Sequence, residues 1–361
     1  MKEKNAKELR HGWTTGACAT AATKAALTAL FGGGFPDPVT ITLPRGQTPA
    51  FALATEEKGA DFARVSIIKD AGDDPDVTHL ARIIATVRRG GAGSGAIFRA
   101  GEGVGTVTKE GLPIAVGEAA INPVPRKMMQ QVVEEVSVAF GMPPDVEIEI
   151  GVEKGAELAK HTMNGRLGIL GGLSILGTTG IVIPYSCASW IASIHRGIDV
   201  ARAAGEPHLA ASTGSTSEKA VATLYGLPEV ALLDMGDFAG GVLKYIRKNP
   251  VPRLTIAGGF AKITKLAQGR MDLHSGRSSV DFTWLADRIT ELGGETELAA
   301  RAKSANTAMQ VLEEARAAGL PLADHVALKA REIAKDVAGE ETAIDVLIFD
   351  RAGNLVGRSD E

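Results

Sequence analysis

Apolar and polar residues follow two different patterns along the chain, and the change falls near residue 146. Before it, an alanine-rich stretch that begins with two threonines has the composition of a capped helix. Short apolar runs between glycine and proline turns are typical of strands. The predicted elements are a helix at 14–30, strands at 39–54 and 61–69, a glycine-rich β region at 81–118 and a helix at 126–140.

After residue 146, apolar runs of strand length alternate with helical segments, which is typical of a mostly parallel sheet. The runs lie at 146–152, 208–212, 229–233, 253–257 and 343–349, and helices are predicted at 186–204 and, as two or three helices, at 281–338. The predicted core stripe of the helix at 186–204 is Cys187, Trp190, Ile191, Ile194, Ile198 and Ala201. We therefore expect a mixed fold, with an α+β domain at 1–145 and a βα-alternating domain at 146–361.

Composition narrows the class of protein. The 361 residues carry a net charge of -4 and only 4% aromatic side chains, which disfavours a nucleic-acid partner. The N-terminus has no apolar signal segment and no long uncharged apolar run follows, so we expect a cytoplasmic protein without a membrane partner. Cys18 and Cys187 lie far apart and are predicted to be small buried side chains in a reducing compartment.

A glycine-rich stretch at 166–190 is the most unusual local feature. A phosphate-binding P-loop would need a lysine where Thr178 stands, although Gly172 and Gly177 have the required spacing. The stretch Gly101-x-Gly103-x-Gly105 begins like a dinucleotide fingerprint, but Thr108 stands where the third glycine would follow Gly103 and Gly105. Ordinary nucleotide folds are thus disfavoured, and both a ligand-binding loop and a tight structural turn remain open for 171–180.

Polar residues follow the predicted parallel strands, where ligands gather in such sheets. Ser215 and Glu218, within the segment 213–218, have the spacing of a helix capping box, which is the structural alternative to a binding role. Lys262 and Lys265 follow Gly258-Gly259 at a helix start, an arrangement that suits a carboxylate or phosphate. A solvated basic helix face is the alternative.

An acidic turn and one histidine complete the candidate chemistry. The turn at 69–76 contains four aspartates and is either a divalent-metal or ribose-hydroxyl site or a hydrated turn. The seven histidines show no metal-ligand spacing, so no protein-held metal is expected. His274 lies in a polar loop beside the basic helix and is the best general acid or base, unless it is simply exposed to water.

Together these segments resemble the CbiD family of cobalt-precorrin-5B C-1-methyltransferases. The matching blocks are Leu9-Arg10 with 13–19, then 69–78, 101–105, 120–126, 171–182, 213–218 and 262–275. Trp13 stands where the family leads us to expect a smaller aromatic residue, and Asp272-Leu273 stand where Asn-Thr is expected. The resemblance implies methylation of C-1 of cobalt-precorrin-5B by S-adenosylmethionine, giving cobalt-precorrin-6A in cobalamin biosynthesis. It also implies that cobalt arrives within the substrate, and that the fold is not the common Rossmann-like methyltransferase fold.

With the resemblance, the candidate residues fall into three groups. The corrinoid substrate is assigned Thr14, Thr15, Arg126, Thr213, Ser215, Ser217, Glu218, Lys262 and Lys265. The methyl donor is assigned Asp73, Asp74, Asp76, Gly171, Gly172, Gly177, Thr178, Thr179 and Gly180, and proton handling is assigned His274 and Ser275. The loops at 171–180 and 213–218 are expected to line one cleft with the helix start at 258–265. A nucleotide- or phosphate-binding transferase and a non-catalytic corrinoid carrier remain alternatives, and a homo-oligomer and transient contacts with pathway enzymes remain open.

Overall fold

A computed structural model describes residues 9–359, and the chain divides after Cys187 into two compact units. We expected the boundary at 145/146. The division lies later because the strand Val146–Val152 pairs antiparallel with Arg82–Arg89 and parallel with Ala96–Ala100. The apolar run at 146 therefore completes the first sheet instead of starting the second.

The first unit is built from one helix-covered sheet and several short strand pairs. Its elements are β1 (Gly12–Trp13), α1 (Thr15–Leu30), β2 (Val39–Thr40), β3 (Ala50–Phe51), β4 (Thr55–Lys58), β5 (Phe62–Ile68), β6 (Arg82–Arg89), β7 (Ala96–Ala100), β8 (Thr106–Val107), α2 (Pro123–Phe140), β9 (Val146–Val152), α3 (Gly155–Ala159), β10 (Ile169–Leu170) and β11 (Ile181–Val182). The main sheet has the order β4-β5-β6-β9-β7, and all its pairs are antiparallel except β7 with β9.

Helix α1 lies in the core of the first unit, and its alanines explain how it fits there. Small side chains let the helix approach β5, β6 and α2 closely, and almost every residue from Thr15 to Leu30 is buried. Thr14 caps the helix, since its side chain accepts from the amide of Ala17. The predicted helix at 14–30 and its threonine cap are confirmed.

The second unit has a mostly parallel sheet with helices on both faces. Its elements are α4 (Cys187–Ala203, whose first residue ends the first unit), β12 (His208–Ser212), α5 (Ser215–Tyr225), a 3-10 turn (Glu229–Ala231), β13 (Leu232–Asp234), α6 (Ala239–Ile246), β14 (Arg253–Gly259), α7 (Phe260–Ala267), α8 (Phe282–Glu291), α9 (Thr296–Lys303), α10 (Ala308–Ala317), α11 (Leu322–Ala338), β15 (Ala343–Phe349) and β16 (Leu355–Arg358). The sheet order is β13-β12-β14-β15-β16, with only β16 antiparallel. The expected fold class is confirmed, and the strand order is of the flavodoxin-like kind.

Several expectations about the second unit need correction. The region 281–338 holds four helices, not two or three, and β16 was not predicted. In α4, Ile194, Ile198 and Ala201 are buried as expected, but Cys187 is exposed and Trp190 is 47% exposed. The indole N–H of Trp190 donates to the carbonyl of Asp234, the last residue of β13 (3.2 Å), while the ring stays partly exposed. No helix in the range 9–359 is long and apolar enough to cross a membrane.

Candidate functional site

In the sheet of the second unit, the connections change direction at β12. Strand β13 lies on one side of β12 and β14 lies on the other. Helix α5 packs on the face that carries Ala210 and Ala257, whereas α6 and α7 pack on the opposite face. In open α/β sheets, a crevice forms at such a point outside the carboxyl ends of the strands. We call the group Ser212, Thr213, Gly214, Gly258 and Gly259 the switch-point crevice.

Two helices begin at this crevice without a side-chain cap among the described residues. Gly214 precedes α5 and Gly259 precedes α7. The first amides of a helix have no intrahelical acceptor, so both starts offer N–H donors and a positive dipole end. The predicted capping box is wrong, because the amide of Glu218 donates to the carbonyl of Gly214 (3.0 Å) and Ser215 is already helical. Ser217 is buried and donates to the same carbonyl (2.9 Å).

Ser212 ends β12 with a buried hydroxyl. The residue is 1% exposed, and its Oγ has no hydrogen-bond partner within 9–359. Buried hydroxyls are usually satisfied, and an unsatisfied one costs about 1–3 kcal/mol. The orphaned atom therefore marks the end of β12 as a position where a ligand atom can supply a missing partner.

Lys262 brings positive charge to the crevice from the first turn of α7. Its Nζ donates to the carbonyl of Thr213 (2.8 Å) and lies 3.1 Å from Oδ1 of Asp237, an ion pair that lacks hydrogen-bond geometry. A Cβ on Gly258 would lie 2.8 Å from Oγ1 of Thr213, so only glycine lets the two strand ends approach this closely. The crevice thus combines two helix starts, one ammonium and one carboxylate.

Lys265 differs from Lys262, although both were predicted to bind substrate. It is 6% exposed, its Nζ donates to the carbonyl of Leu273 (2.9 Å), and burial lowers its pKa. The amide of Leu273 in turn donates to the carbonyl of Asp237 (2.8 Å). Lys265 therefore holds the loop at 271–276 against the edge of the sheet.

His274 and Ser275 lie exposed on that loop. The amide of Gly276 donates to Nδ1 of His274 (3.1 Å), and the amide of His274 donates to Asp272 (3.0 Å). Because Nδ1 accepts a hydrogen bond, a neutral His274 carries its proton on Nε2. In this arrangement Nε2 of a neutral His274 is a donor and can bind an acceptor, and the role of His274 as a general acid or base stays a prediction.

In the first unit, the threonines at the start of α1 bind the loop at 171–180. Oγ1 of Thr15 contacts both the amide (3.0 Å) and the carbonyl (3.2 Å) of Leu176, and the amide of Thr14 donates to the carbonyl of Gly180 (3.0 Å). Both threonines are buried. Their described contacts fix the loop onto the helix.

Packing accounts for most glycines of this loop. A Cβ on Gly172 would lie 2.2 Å from the carbonyl of Gly103, one on Gly177 would lie 2.4 Å from Thr14, and one on Gly180 would lie 2.5 Å from Leu43. Gly171 faces open space, Thr178 is exposed, and Thr179 contacts the backbone of Ile181. The structural-turn interpretation explains Gly172, Gly177 and Gly180, and a donor-binding role of the loop stays a prediction.

The aspartates of the acidic turn bind the protein itself. One carboxylate oxygen of Asp73 accepts from the amide of Arg10 (2.7 Å), and one of Asp74 accepts from the amide of Tyr185 (2.8 Å). Asp76 pairs with the fully buried Lys69 (2.7 Å) and also accepts two hydrogen bonds from Thr78. These contacts stabilise the turn. Among residues 9–359, no three His, Cys, Asp or Glu side chains are grouped to hold a metal ion.

Two carboxylates of this turn, those of Asp70 and Asp76, have pKa values below the usual value. The Arg10 guanidinium and the amide of Gly72 lower the pKa of Asp70 to about 2. Burial alone would raise the pKa of Asp76, but the Lys69 ammonium and the Thr78 hydrogen bonds outweigh it and hold the pKa below its usual value. Both carboxylates therefore stay charged near neutral pH.

Arg126 lines a cavity of about 610 Å³ between β7 and the segment 117–119. Its Nε and Nη2 donate to the carbonyls of Ile121 (2.8 Å) and Ala119 (3.0 Å), and Nη1 pairs with Glu118 (2.6 Å). A substrate carboxylate at Arg126 would have to displace Glu118.

Ser212 and Asp237 were missed by sequence reasoning. Asp237 follows the strand-like run at 229–233, so asking which polar residues follow each parallel strand would have found it. The orphaned hydroxyl of Ser212 has no sequence signal, since its lack of partners depends on the fold.

The fold and the crevice define a two-unit protein with a candidate ligand site at the switch point of a doubly wound α/β sheet. A family model described as CbiD matches residues 2–184, and another described as CbiD, C-terminal domain, matches residues 272–360. The chain belongs to the CbiD family, and the resemblance seen in the sequence is confirmed.

Named relatives match nearly the whole chain. The chain is 61% identical over 97% of its length, and 98% of the relative's, to a cobalt-precorrin-5B C(1)-methyltransferase of Paramagnetospirillum magneticum. It is 58% identical over 99% of its length, and 97% of the relative's, to a protein of the same name from Brucella anthropi. Among solved structures, a cobalamin biosynthesis protein (CbiD) from Archaeoglobus fulgidus is 27% identical, with 74% of this chain and 83% of that chain covered and a TM-score of 0.41.

Proposed function

We propose that this protein transfers a methyl group from S-adenosylmethionine to C-1 of cobalt-precorrin-5B, giving cobalt-precorrin-6A. The observation that carries the proposal is 61% identity over 97% of the chain to a relative named for that C-1 methylation. Cobalt enters as part of the substrate. A cytoplasmic location, a homo-oligomer and transient contacts with pathway enzymes stay predictions.

The donor supplies an activated methyl group on a sulfonium. The protein's task is to hold the nucleophilic carbon and the methyl group in near-attack geometry and to keep water away from the sulfonium. This task needs few ionisable catalytic groups, which agrees with the Nδ1 contact that makes His274 an Nε2 donor. We propose that His274 and Ser275 orient an acceptor group of the substrate instead of removing a proton.

The proposal is tested with the purified protein, cobalt-precorrin-5B and methyl-labelled S-adenosylmethionine. We expect label in the corrinoid product and S-adenosylhomocysteine as the second product, with no label transfer when the protein is heat-denatured. Tight binding of the coloured corrinoid without label transfer would instead identify a carrier. Thermal stabilisation by magnesium ATP, but not by S-adenosylmethionine, would support a nucleotide-binding transferase.

A further inference from the structure

We propose that the switch-point crevice binds the α-amino-carboxylate end of the methyl donor. The identity of the donor rests on the proposed function, while the site itself is argued from contacts within the second unit. The sequence-based assignment placed the donor on the acidic turn and the loop at 171–180. The structure engages the three aspartates and most glycines of that loop in internal contacts. The crevice offers the unpartnered hydroxyl of Ser212 and two helix starts without a side-chain cap among the described residues.

The crevice has the donors that a carboxylate needs. The starts of α5 at Gly214 and of α7 at Gly259 lie after neighbouring parallel strands, and neither has a side-chain cap in the described chain. Helix starts of this kind bind anions through backbone amides. Lys262 lies within the first turn of α7 and adds an ammonium group 2.8 Å from the carbonyl of Thr213.

Ser212 is the independent observation that points to a ligand. Alternation along β12 places Ser212 on the same face as Ala210, which packs against Val221 of α5. Its side chain therefore lies on the face of the sheet that α5 covers, three residues before the first residue of α5. A hydroxyl that is 1% exposed and unpartnered among residues 9–359 is poorly explained by folding, since alanine would fill the same position without the desolvation cost.

The adjacent opposite charges of Lys262 and Asp237 determine which kind of carboxylate the crevice can bind. Asp237 Oδ1 lies 3.1 Å from Lys262 Nζ, so an anion bound at Lys262 also meets a carboxylate. A peripheral carboxylate of the corrinoid carries no cation and would be repelled by Asp237. The methionine part of the donor carries an ammonium next to its carboxylate and complements both residues. Lys265 takes no part, because it is 6% exposed and its Nζ donates to the carbonyl of Leu273, whereas the side chain of Lys262 is 36% exposed.

Two probes and four variants of the full chain test the assignment. The probes are S-adenosylhomocysteine and 5′-methylthioadenosine, which lacks the amino-carboxylate, and the readouts are calorimetric affinity and thermal stability. The variants are Ser212→Ala, Lys262→Met, Asp237→Asn and, as a matched control, Lys244→Met, an exposed lysine of α6.

Each variant has a defined expected result. Ser212→Ala should weaken S-adenosylhomocysteine about fivefold while thermal stability stays equal or rises, because the hydroxyl has no internal partner to lose. Lys262→Met and Asp237→Asn should weaken it about tenfold or more, since each removes a charged contact. All variants should bind 5′-methylthioadenosine like the wild type, and Lys244→Met should bind both probes unchanged.

The outcomes separate this inference from the proposed function. If the wild type binds S-adenosylhomocysteine and Ser212→Ala and Lys262→Met keep its affinity, the crevice is not the donor site while the methyltransferase activity stands. If Lys262→Met loses affinity only for cobalt-precorrin-5B, the crevice binds the corrinoid and the inference is wrong. If the wild type binds neither probe and transfers no methyl group, the proposed function itself fails.

Discussion

The buried ion pair between Lys69 and Asp76 gives the sharpest stability prediction. Lys69 is fully buried, and its Nζ lies 2.7 Å from Oδ2 of Asp76, which is itself 23% exposed. Replacing Asp76 by asparagine keeps the shape of the side chain and an acceptor for the two Thr78 hydrogen bonds. What the change removes is the negative charge that compensates the Lys69 ammonium.

The expected magnitude follows from the burial. Removing one partner of a buried pair costs about 3–5 kcal/mol, because it leaves an uncompensated charge in the interior. Water can reach the partly exposed asparagine, so we expect the lower end, about 3 kcal/mol, for Asp76→Asn. The exposed pair of Arg64 and Glu57 (3.1 Å) is the matched control, and Glu57→Gln should cost less than about 1 kcal/mol.

The free energy of unfolding of each variant is measured by urea unfolding, followed by the fluorescence of Trp13. Trp190 and Trp284 are replaced by phenylalanine in all variants, so that only the first unit is observed. The dependence of stability on acidic pH provides a second measurement. The folded pKa of Asp76 is below its usual value of 3.8, so its contribution is present above that pH and is lost as pH falls through the folded pKa. Asp76→Asn should lack this part of the acid loss. A cost of less than about 1 kcal/mol, equal to that of the exposed pair, would refute the buried-charge reasoning.

Two further predictions concern the two units separately. Gly177→Ala places a Cβ 2.4 Å from Thr14 at a residue with φ +128°, so it should lower the free energy of unfolding by about 1–3 kcal/mol or more, measured by thermal or urea unfolding. Gly171→Ala is the control and should cost less, because Gly171 has φ +88° but faces open space. Equal costs for the two variants would contradict the packing argument. In the second unit, His208 donates from Nε2 to Thr255 (2.7 Å), which donates to Asp345, and burial lowers the pKa of His208 below 6.5. The wild type should therefore lose stability as pH falls through 6.5 toward the folded pKa, since the unfolded chain binds the proton more readily, and His208→Gln should show a flatter profile in urea titrations across that range.

The sequence by itself determined the local elements and the family. The strands at 146–152, 208–212 and 343–349 match the prediction to the residue, and the helix over 14–30 begins at its predicted threonine cap. These features depend on the spacing of apolar residues and on caps only a few residues away, so a single sequence contains them.

Tertiary structure decided which sheet each strand joins and what each polar group can do. Val146–Val152 belongs to the first unit because its partners are β6 and β7, which its own apolar pattern cannot specify. Lys262 and Lys265 look equivalent in the sequence. In the fold, Lys262 donates to the carbonyl of Thr213 at the crevice, 49 residues away, whereas Lys265 is buried and donates to the carbonyl of Leu273 in the loop that follows α7. The unpartnered hydroxyl of Ser212 likewise exists only in the fold. Burial and hydrogen-bond partners come from residues distant in the chain, and for that reason the candidate site had to be found in three dimensions.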